Sequence, residues 1–318
     1  MSSFREKLNA SLKSNETEEW IDIWFTRPIG LVFALFWNRL GVHPNAITVL
    51  SIFLGIGAGV MFGFEDTRHN VMGIVLLMLA NFCDSTDGQM ARLTGKKTLI
   101  GRVLDGFSGD VWFFCIYFAF CVRMMPQLIP GTQVQWGVWI WLLGAVAGLV
   151  CHVRQPSLAD YYRNIHLYFL KGKEGSELDN YRQQRATYEQ MKREGNWLGQ
   201  QFYYHYANYC RSQERRTPEF QRFFALWKQA EAEEGPSQLS PLREEFLCGS
   251  RPLMKYTNIL SFNWRAICIY VTALLHCPWV YFLADITVFT AIYCYMHRSH
   301  ERLCRHLSAR FEPHSSTS

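Results

Sequence analysis

The chain has 318 residues, 49% of them hydrophobic, and a net charge of +5. That charge is too mild for a nucleic-acid-binding surface, and no nucleic-acid partner is expected. The ten cysteines form no CxxC pair and no zinc spacing, so they read as reduced, buried small hydrophobes rather than a disulfide or zinc framework.

The ordinary average hides a sharp split. Apolar residues fall in separate blocks, and charged ones cluster between residues 154 and 255. No secretory leader is expected at the start, since charges begin at Arg5 and no apolar core follows directly. Residues 1–45 read as an amphipathic segment. Trp20, Ile21, Ile23, Trp24 and Phe25 are interfacial types set beside Glu18, Glu19 and Asp22. The apolar run from Ile29 to Leu40 is short of the ~20 residues a span needs. It is expected to lie along the bilayer surface, with a membrane span as the alternative. Pro44 and Asn45 suit a turn into a helix, and the first expected span runs from Ala46 to Phe64.

After a polar loop, Val71 to Arg92 and Leu99 to Arg123 are the second and third expected spans, and Trp136 to Val153 is the fourth. Pro130-Gly131 marks the turn between the last two. Residues 154–258 are rich in charge, Gln and Tyr. They read as a soluble, mainly helical insertion, with helical stretches at Leu178 to Arg193 and Phe220 to Ala232. Tyr203, Tyr204, Tyr206 and Tyr209 are expected to pack the insertion onto itself or the membrane surface; a lipid or sugar pocket is the alternative. The fifth and sixth spans, Ile259 to Cys277 and Trp279 to His297, divide at Pro278, and Asp285 within the last reads as a hydrogen-bonding group of the bundle interior.

The expected fold is therefore all-α: a six-helix transmembrane bundle with an N-terminal interfacial helix and a soluble insertion. Its divisions are 1–45, 46–153, 154–258, 259–298 and a basic tail, 299–318. Arg92, Lys96, Lys97 and Arg102, with Arg298, Arg302, Arg305 and Arg310 in the tail, outnumber Arg68 and Arg123 in the opposite loops. The positive-inside bias then puts both termini and the insertion on the cytoplasmic side.

The chemistry concentrates between Asp84 and Asp110, DSTDGQMARLTGKKTLIGRVLDGFSGD. Apolar runs lead straight into Asp84 and straight out of Asp110. Acids at membrane depth are costly unless they have a partner or a function. Several acids converging there point to bound divalent metal, because magnesium and manganese prefer carboxylate oxygens. Asp84 and Asp87 are three apart and share a helix face. Gly88 lets a backbone or ligand come close, and Arg92 offers a planar, permanently charged fork suited to phosphate. With Asp105 opening the next helix, the hairpin suits a dinuclear centre holding a pyrophosphate.

This stretch resembles the signature of the CDP-alcohol phosphotransferase family, D-x2-D-G-x2-A-R-x8-G-x3-D-x3-D. Asp84, Asp87, Gly88, Ala91, Arg92, Gly101 and Asp105 fall in place. The resemblance implies transfer of a substituted phosphate from a CDP-linked lipid to an alcohol, with release of CMP. It implies two Mg2+ or Mn2+ ions held by Asp84, Asp87, Asp105 and a fourth acid that is also the catalytic base. It further implies donor contacts from Gly88, Ala91, Arg92, Thr98 and Gly101, and from Asn45 and Thr48 in a Pro-Asn-x-x-Thr turn, as well as a homodimer. The donor expected is CDP-diacylglycerol and the acceptor an inositol phosphate or inositol, with Arg154, Lys255 and Arg265 as acceptor-binding candidates. Glycerol phosphate, serine, choline and ethanolamine remain alternative acceptors.

The last acid departs from the pattern: Gly109 stands where Asp is expected, and Asp110 follows. On a regular helix a step of four turns about 40° from Asp105 and a step of five about 140°. A one-residue bulge, eased by Gly106 and Gly109, is expected to bring Asp110 back to the metals as ligand and base. The alternative is a catalytically degenerate member acting as a membrane scaffold.

Overall fold

The computed structural model describes residues 6, 8, 14, 16–95 and 99–311, except the side chains of Leu99, Ile100, Arg102 and Glu234. Among the described residues it is helical, and the one β-type pairing is an isolated bridge between Leu128 and Gln135. Five helices there are long and apolar enough to cross a membrane: Pro44–Phe62, Thr67–Thr94, Val103–Met124, Gly137–Lys171 and Trp279–Ser308. The protein is an all-α polytopic membrane protein.

Residues fall into two compact units: Met1–Arg154 with Ser261–Thr290, and Gln155–Leu260 with Ala291–Ser318. In the first, a π-helical turn, Asp22–Thr26, runs into α1, Arg27–Arg39. At 1.5 Å per residue α1 is about 20 Å long, too short to span. Val32, Phe33, Phe36 and Leu40 are exposed along it. Helix α2 is Pro44–Phe62, α3 Thr67–Thr94, and α4 Leu99–Met124. Asp66 caps α3 by accepting the His69 N–H (3.1 Å), and Gly95 ends it at φ +68°.

Small residues let α2 and α4 touch. A side chain on Gly55 would run into the Trp112 ring, and a Cβ on Gly59 would lie 2.7 Å from that of Cys115. Without a hydrophobic drive inside lipid, such close backbone approach is what holds spans together.

Helix α5, Gly137–Ala145, continues through a π-helical turn, Val146–His152, into α6, Arg154–Lys171. The second unit adds α7, Tyr181–Arg193; α8, Trp197–Arg216; α9, Pro218–Glu234; α10, Ser240–Ser250; and α11, Met254–Ile259. Its core gathers Tyr162, Phe169, Phe220, Phe223, Phe246 and Leu307.

The expected fifth span, 259–277, is divided. A break at Leu260 and Ser261 separates α11 from α12, Phe262–Leu274, which has 13 residues. Helix α12 runs parallel to the second half of α4, since Phe262 packs on Trp112 and His276, just past its end, meets Arg123 (3.2 Å). Trp264, Ile267, Val271 and Leu274 are exposed at helical spacing, so its outer face is apolar.

After His276, in the left-handed region at φ +56°, come α13, Trp279–Ala284, a π-helical turn, Asp285–Phe289, and α14, Thr290–Ser308. Two of the three π-helical turns meet around a buried polar network. Asp285 pairs with Arg265 (2.8 Å) and accepts a hydrogen bond from Tyr117, while Arg265 also reaches His152 Nδ1 (2.9 Å). Arg265 and Asp285 are both fully buried. Asp285 thus has the interior hydrogen-bonding surroundings expected of it.

Candidate metal centre

Helix periodicity divides α3 into two working faces. Counted from Asp84, Asp87, Gly88 and Ala91 lie within about 60° of it, whereas Phe82, Ser85, Thr86 and Gln89 lie on the far side. The far side carries α1: Gln89 donates to the Arg27 carbonyl (2.9 Å) and Thr86 to that of Gly30 (3.3 Å). Phe25 meets Phe82 edge-on, with ring centroids 5.6 Å apart. Gly30 is needed at this contact, because a Cβ there would lie 2.7 Å from Ser85 Oγ. Helix α1 and the turn before it therefore brace the acid-bearing end of α3 from behind.

On the near side, oxygens of Asp84, Asp87 and Asp105 all lie within 4.8 Å of one another. Among the described residues this is the group of acids, histidines or cysteines that could hold a metal ion. Three carboxylates at that separation in a low-dielectric setting repel strongly unless a cation or protons compensate them. The donor set is all carboxylate oxygen, the ligand type that hard divalent cations prefer.

Two hydroxyls orient the acids. Thr48, 3% exposed on α2, donates to Asp87 Oδ2. Ser108 Oγ donates to the Asp105 carbonyl (2.6 Å) and lies 3.2 Å from Asp84 Oδ1. The Thr48 hydroxyl, a candidate donor contact, is thus held by Asp87. Ser108 was not singled out from sequence, although its place three residues after Asp105 on a helix was the available signal.

Asn45 is half-buried one turn before Thr48, and its backbone N–H donates to His43 Nδ1 (3.2 Å). Arg92 leans over Gly88: a Cβ at Gly88 would sit 3.4 Å from Arg92 Nη1. Ala91 is half-buried, as is Gly101 on α4. Thr98, with Lys96 and Lys97, lies outside the described residues.

Two expected site residues, Asp110 and Arg265, stand away from the carboxylate group. The bulge expected near Asp110 is absent, for α4 is a regular α-helix from Leu99 to Met124. Asp110 is therefore about 140° around α4 from Asp105. It is exposed, and it does not join the carboxylate group. Gly109 falls near the metal face, where an added Cβ would meet no atom within 4 Å.

Arg265 is consumed by its ion pair with Asp285. Tyr117 marks that network's level, roughly 18 Å along α4 from Asp105. Lys255 is exposed on α11 with its ammonium 4.9 Å from the Tyr256 ring centroid, and Arg154 is exposed at the start of α6.

Comparison with known proteins places this hairpin. Residues 41–166 match the sequence model of the CDP-alcohol phosphatidyltransferase family. The chain is 32% identical over 146 residues to a phosphatidylinositol phosphate synthase of Streptomyces avermitilis, covering 40% of this chain and 58% of the relative. It is 30% identical over 66 residues to an archaetidylinositol phosphate synthase of Pyrococcus horikoshii, covering 21% and 34%. An uncharacterized protein of Aquifex aeolicus is 36% identical over 70 residues, covering 22% and 34%. The chain thus spans between 34% and 58% of the length of these curated relatives.

Proposed function

We propose that the protein, whose residues 41–166 match the CDP-alcohol phosphatidyltransferase family, transfers the phosphatidyl group of CDP-diacylglycerol to an inositol phosphate or inositol. The observation that carries this reading is the carboxylate group of Asp84, Asp87 and Asp105, set in a signature that matches the family at seven positions. The acceptor rests on the names of two relatives, the phosphatidylinositol phosphate synthase of Streptomyces avermitilis and the archaetidylinositol phosphate synthase of Pyrococcus horikoshii.

In the reaction the acceptor hydroxyl oxygen forms a bond to the phosphatidyl phosphorus. The bond to the CMP oxygen breaks, CMP departs, and the hydroxyl proton leaves. Asp84, Asp87 and Asp105 would hold two Mg2+ or Mn2+ ions, which when bound neutralise charge on the pyrophosphate and on the attacking and leaving oxygens. Thr48 and Ser108 fix the rotamers of Asp87 and Asp84, an outer-sphere role that supports ligand geometry. Arg92 is the cation for a donor phosphate, and Gly88 leaves the space beside it. Asn45, Ala91, Thr98 and Gly101 complete the donor side by family resemblance. Arg154 and Lys255 are the remaining cations for a phosphorylated acceptor. The active site and the segment 154–258 belong to the cytoplasmic side in this reading, and the chain works as a homodimer.

The position of the family's fourth acid is Gly109, which favours a second reading: a scaffold that keeps the fold and has lost turnover. Purified protein supplied with CDP-diacylglycerol, Mg2+ and a panel of alcohols separates the two. CMP release that requires both metal and inositol phosphate or inositol supports the transferase. Release dependent on another alcohol instead overturns the acceptor, and no release with any alcohol overturns the transferase reading.

A further inference from the structure

Helix α8 has an unusual composition for a surface helix. From Trp197 to Cys210 it reads WLGQQFYYHYANYC, without one charged residue. Ala207 and Cys210 are buried, and the opposite arc is not. Trp197, Leu198, Tyr204 and Tyr209 are 65%, 72%, 44% and 41% exposed. At 100° per residue these four, with Gln201, His205 and Asn208 between them, occupy one arc of about 140°.

The presentation of this arc is ordered. Helix α7 ends in a Schellman motif, Asn196 N–H donating to the Met191 carbonyl (3.0 Å) and Gly195 N–H to that of Lys192 (3.3 Å), with Gly195 at φ +68°. The Asn196 side chain then caps α8 by accepting the Gly199 N–H (2.9 Å). Trp197 and Leu198 therefore stand on a fixed helical hairpin tip. Two large apolar side chains held in water are costly unless something covers them.

The charges around the arc identify the cover. Lys192 and Arg193 precede it and Arg211 and Arg215 follow it, all exposed. The acid at the tip, Glu194, accepts a hydrogen bond from Gln190 (2.8 Å). Trp and Tyr on an uncharged polar face, bounded by Lys and Arg, match the headgroup layer of a bilayer, where amphipathic rings partition and anionic lipids attract basic residues. A second copy of the chain fits less well. Both ends of the arc are basic, so parallel and antiparallel pairing alike set cations against cations.

We propose that the arc Trp197 to Tyr209, with Lys192 and Arg193, docks on the headgroup layer of an anionic phospholipid bilayer. The proposal is independent of which reaction the carboxylate centre performs.

The test uses the full chain carrying Cys248→Ser and Gln201→Cys, with a fluorophore on residue 201, reconstituted into phosphatidylcholine vesicles with or without phosphatidylglycerol. Quenching by headgroup nitroxide lipids is expected with phosphatidylglycerol and is expected to fall at high salt. Lys192→Glu with Arg193→Glu should lower the docked-to-undocked ratio about tenfold or more, from the attraction of each basic residue near an anionic surface. Trp197→Ser with Leu198→Ser should lower it as well. A label that soluble iodide quenches fully and lipid nitroxides do not would overturn the proposal. So would quenching that is equal in neutral vesicles and indifferent to charge reversal, or a disulfide between residues 201 of two copies in the unlabelled Gln201→Cys protein together with no lipid quenching of the labelled one.

Discussion

Asp87 shows how much of this site depends on single atoms. Its carboxylate is shared between the acid group and the Thr48 hydroxyl, so Thr48→Val should weaken metal binding about 10- to 100-fold, the usual cost of losing an outer-sphere partner. Titration of CMP release against Mg2+ measures it. Asp84→Asn, Asp87→Asn and Asp105→Asn each remove a charged oxygen and should abolish release; a variant that keeps wild-type turnover drops that residue from the centre. Gly109 and Asp110 are distinguished by the regular helix. Asp110→Asn should change turnover little, because its carboxylate points away from the other three. Gly109→Asp places a carboxylate about 40° from Asp105 in open space, and should raise turnover toward the ~10²–10⁴-fold benefit of a positioned acid–base group. If Gly109→Asp leaves the rate unchanged while metal still binds, the proton leaves by another route.

At the scale of elements, the spans are joined by small residues and by a few buried polar pairs. The pair Arg265–Asp285 ties α12 to the π-helical turn after α13, with Tyr117 of α4 and His152 as further partners. Asp285→Asn would leave a buried guanidinium without its counter-charge, at a cost of about 3–5 kcal/mol. Arg265→Met with Asp285→Leu should recover most of that loss, since two apolar groups replace both charges. Thermal unfolding in detergent checks the difference, and equal destabilisation by the single and the double change would show that packing, not charge, dominates there. Arg123 makes a comparable junction farther along α4, donating to Asn70 Oδ1 (2.8 Å) and reaching His276. His276 sits in the left-handed turn between α12 and α13, so this contact fixes where the chain reverses.

At the scale of the molecule, the distribution of basic residues bears on sidedness. The basic residues around the motif hairpin and in the tail predict that both face the cytoplasm. Single cysteines at Lys96 and at Lys192 should react with an impermeant thiol reagent from the same, cytoplasmic side of sealed vesicles. Reaction from opposite sides would reject that topology. Removing divalent metal with a chelator should stop CMP release in the intact protein, and added Mg2+ or Mn2+ should restore it. Release that persists through exhaustive chelation would contradict a carboxylate-held metal centre.

The sequence by itself determined the membrane class and singled out the three acids that the fold brings together. Apolar block length, the three-residue spacing of Asp84 and Asp87, and the constraint that acids in lipid need partners are all local properties of the chain. The tertiary structure decided what depends on distant neighbours. Ser85, Thr86 and Gln89 look like three more polar residues of the motif, and only the placement of α1 shows that Thr86 and Gln89 brace it from behind. Arg265 reads from sequence as a cation near a helix end, and only the fold brings Asp285 to neutralise it. The regular course of α4 past Asp110 belongs here too. Gly106 and Gly109 make a bulge inexpensive, but nothing local demands one, and in lipid an unbroken ladder of backbone hydrogen bonds is the lower-energy course.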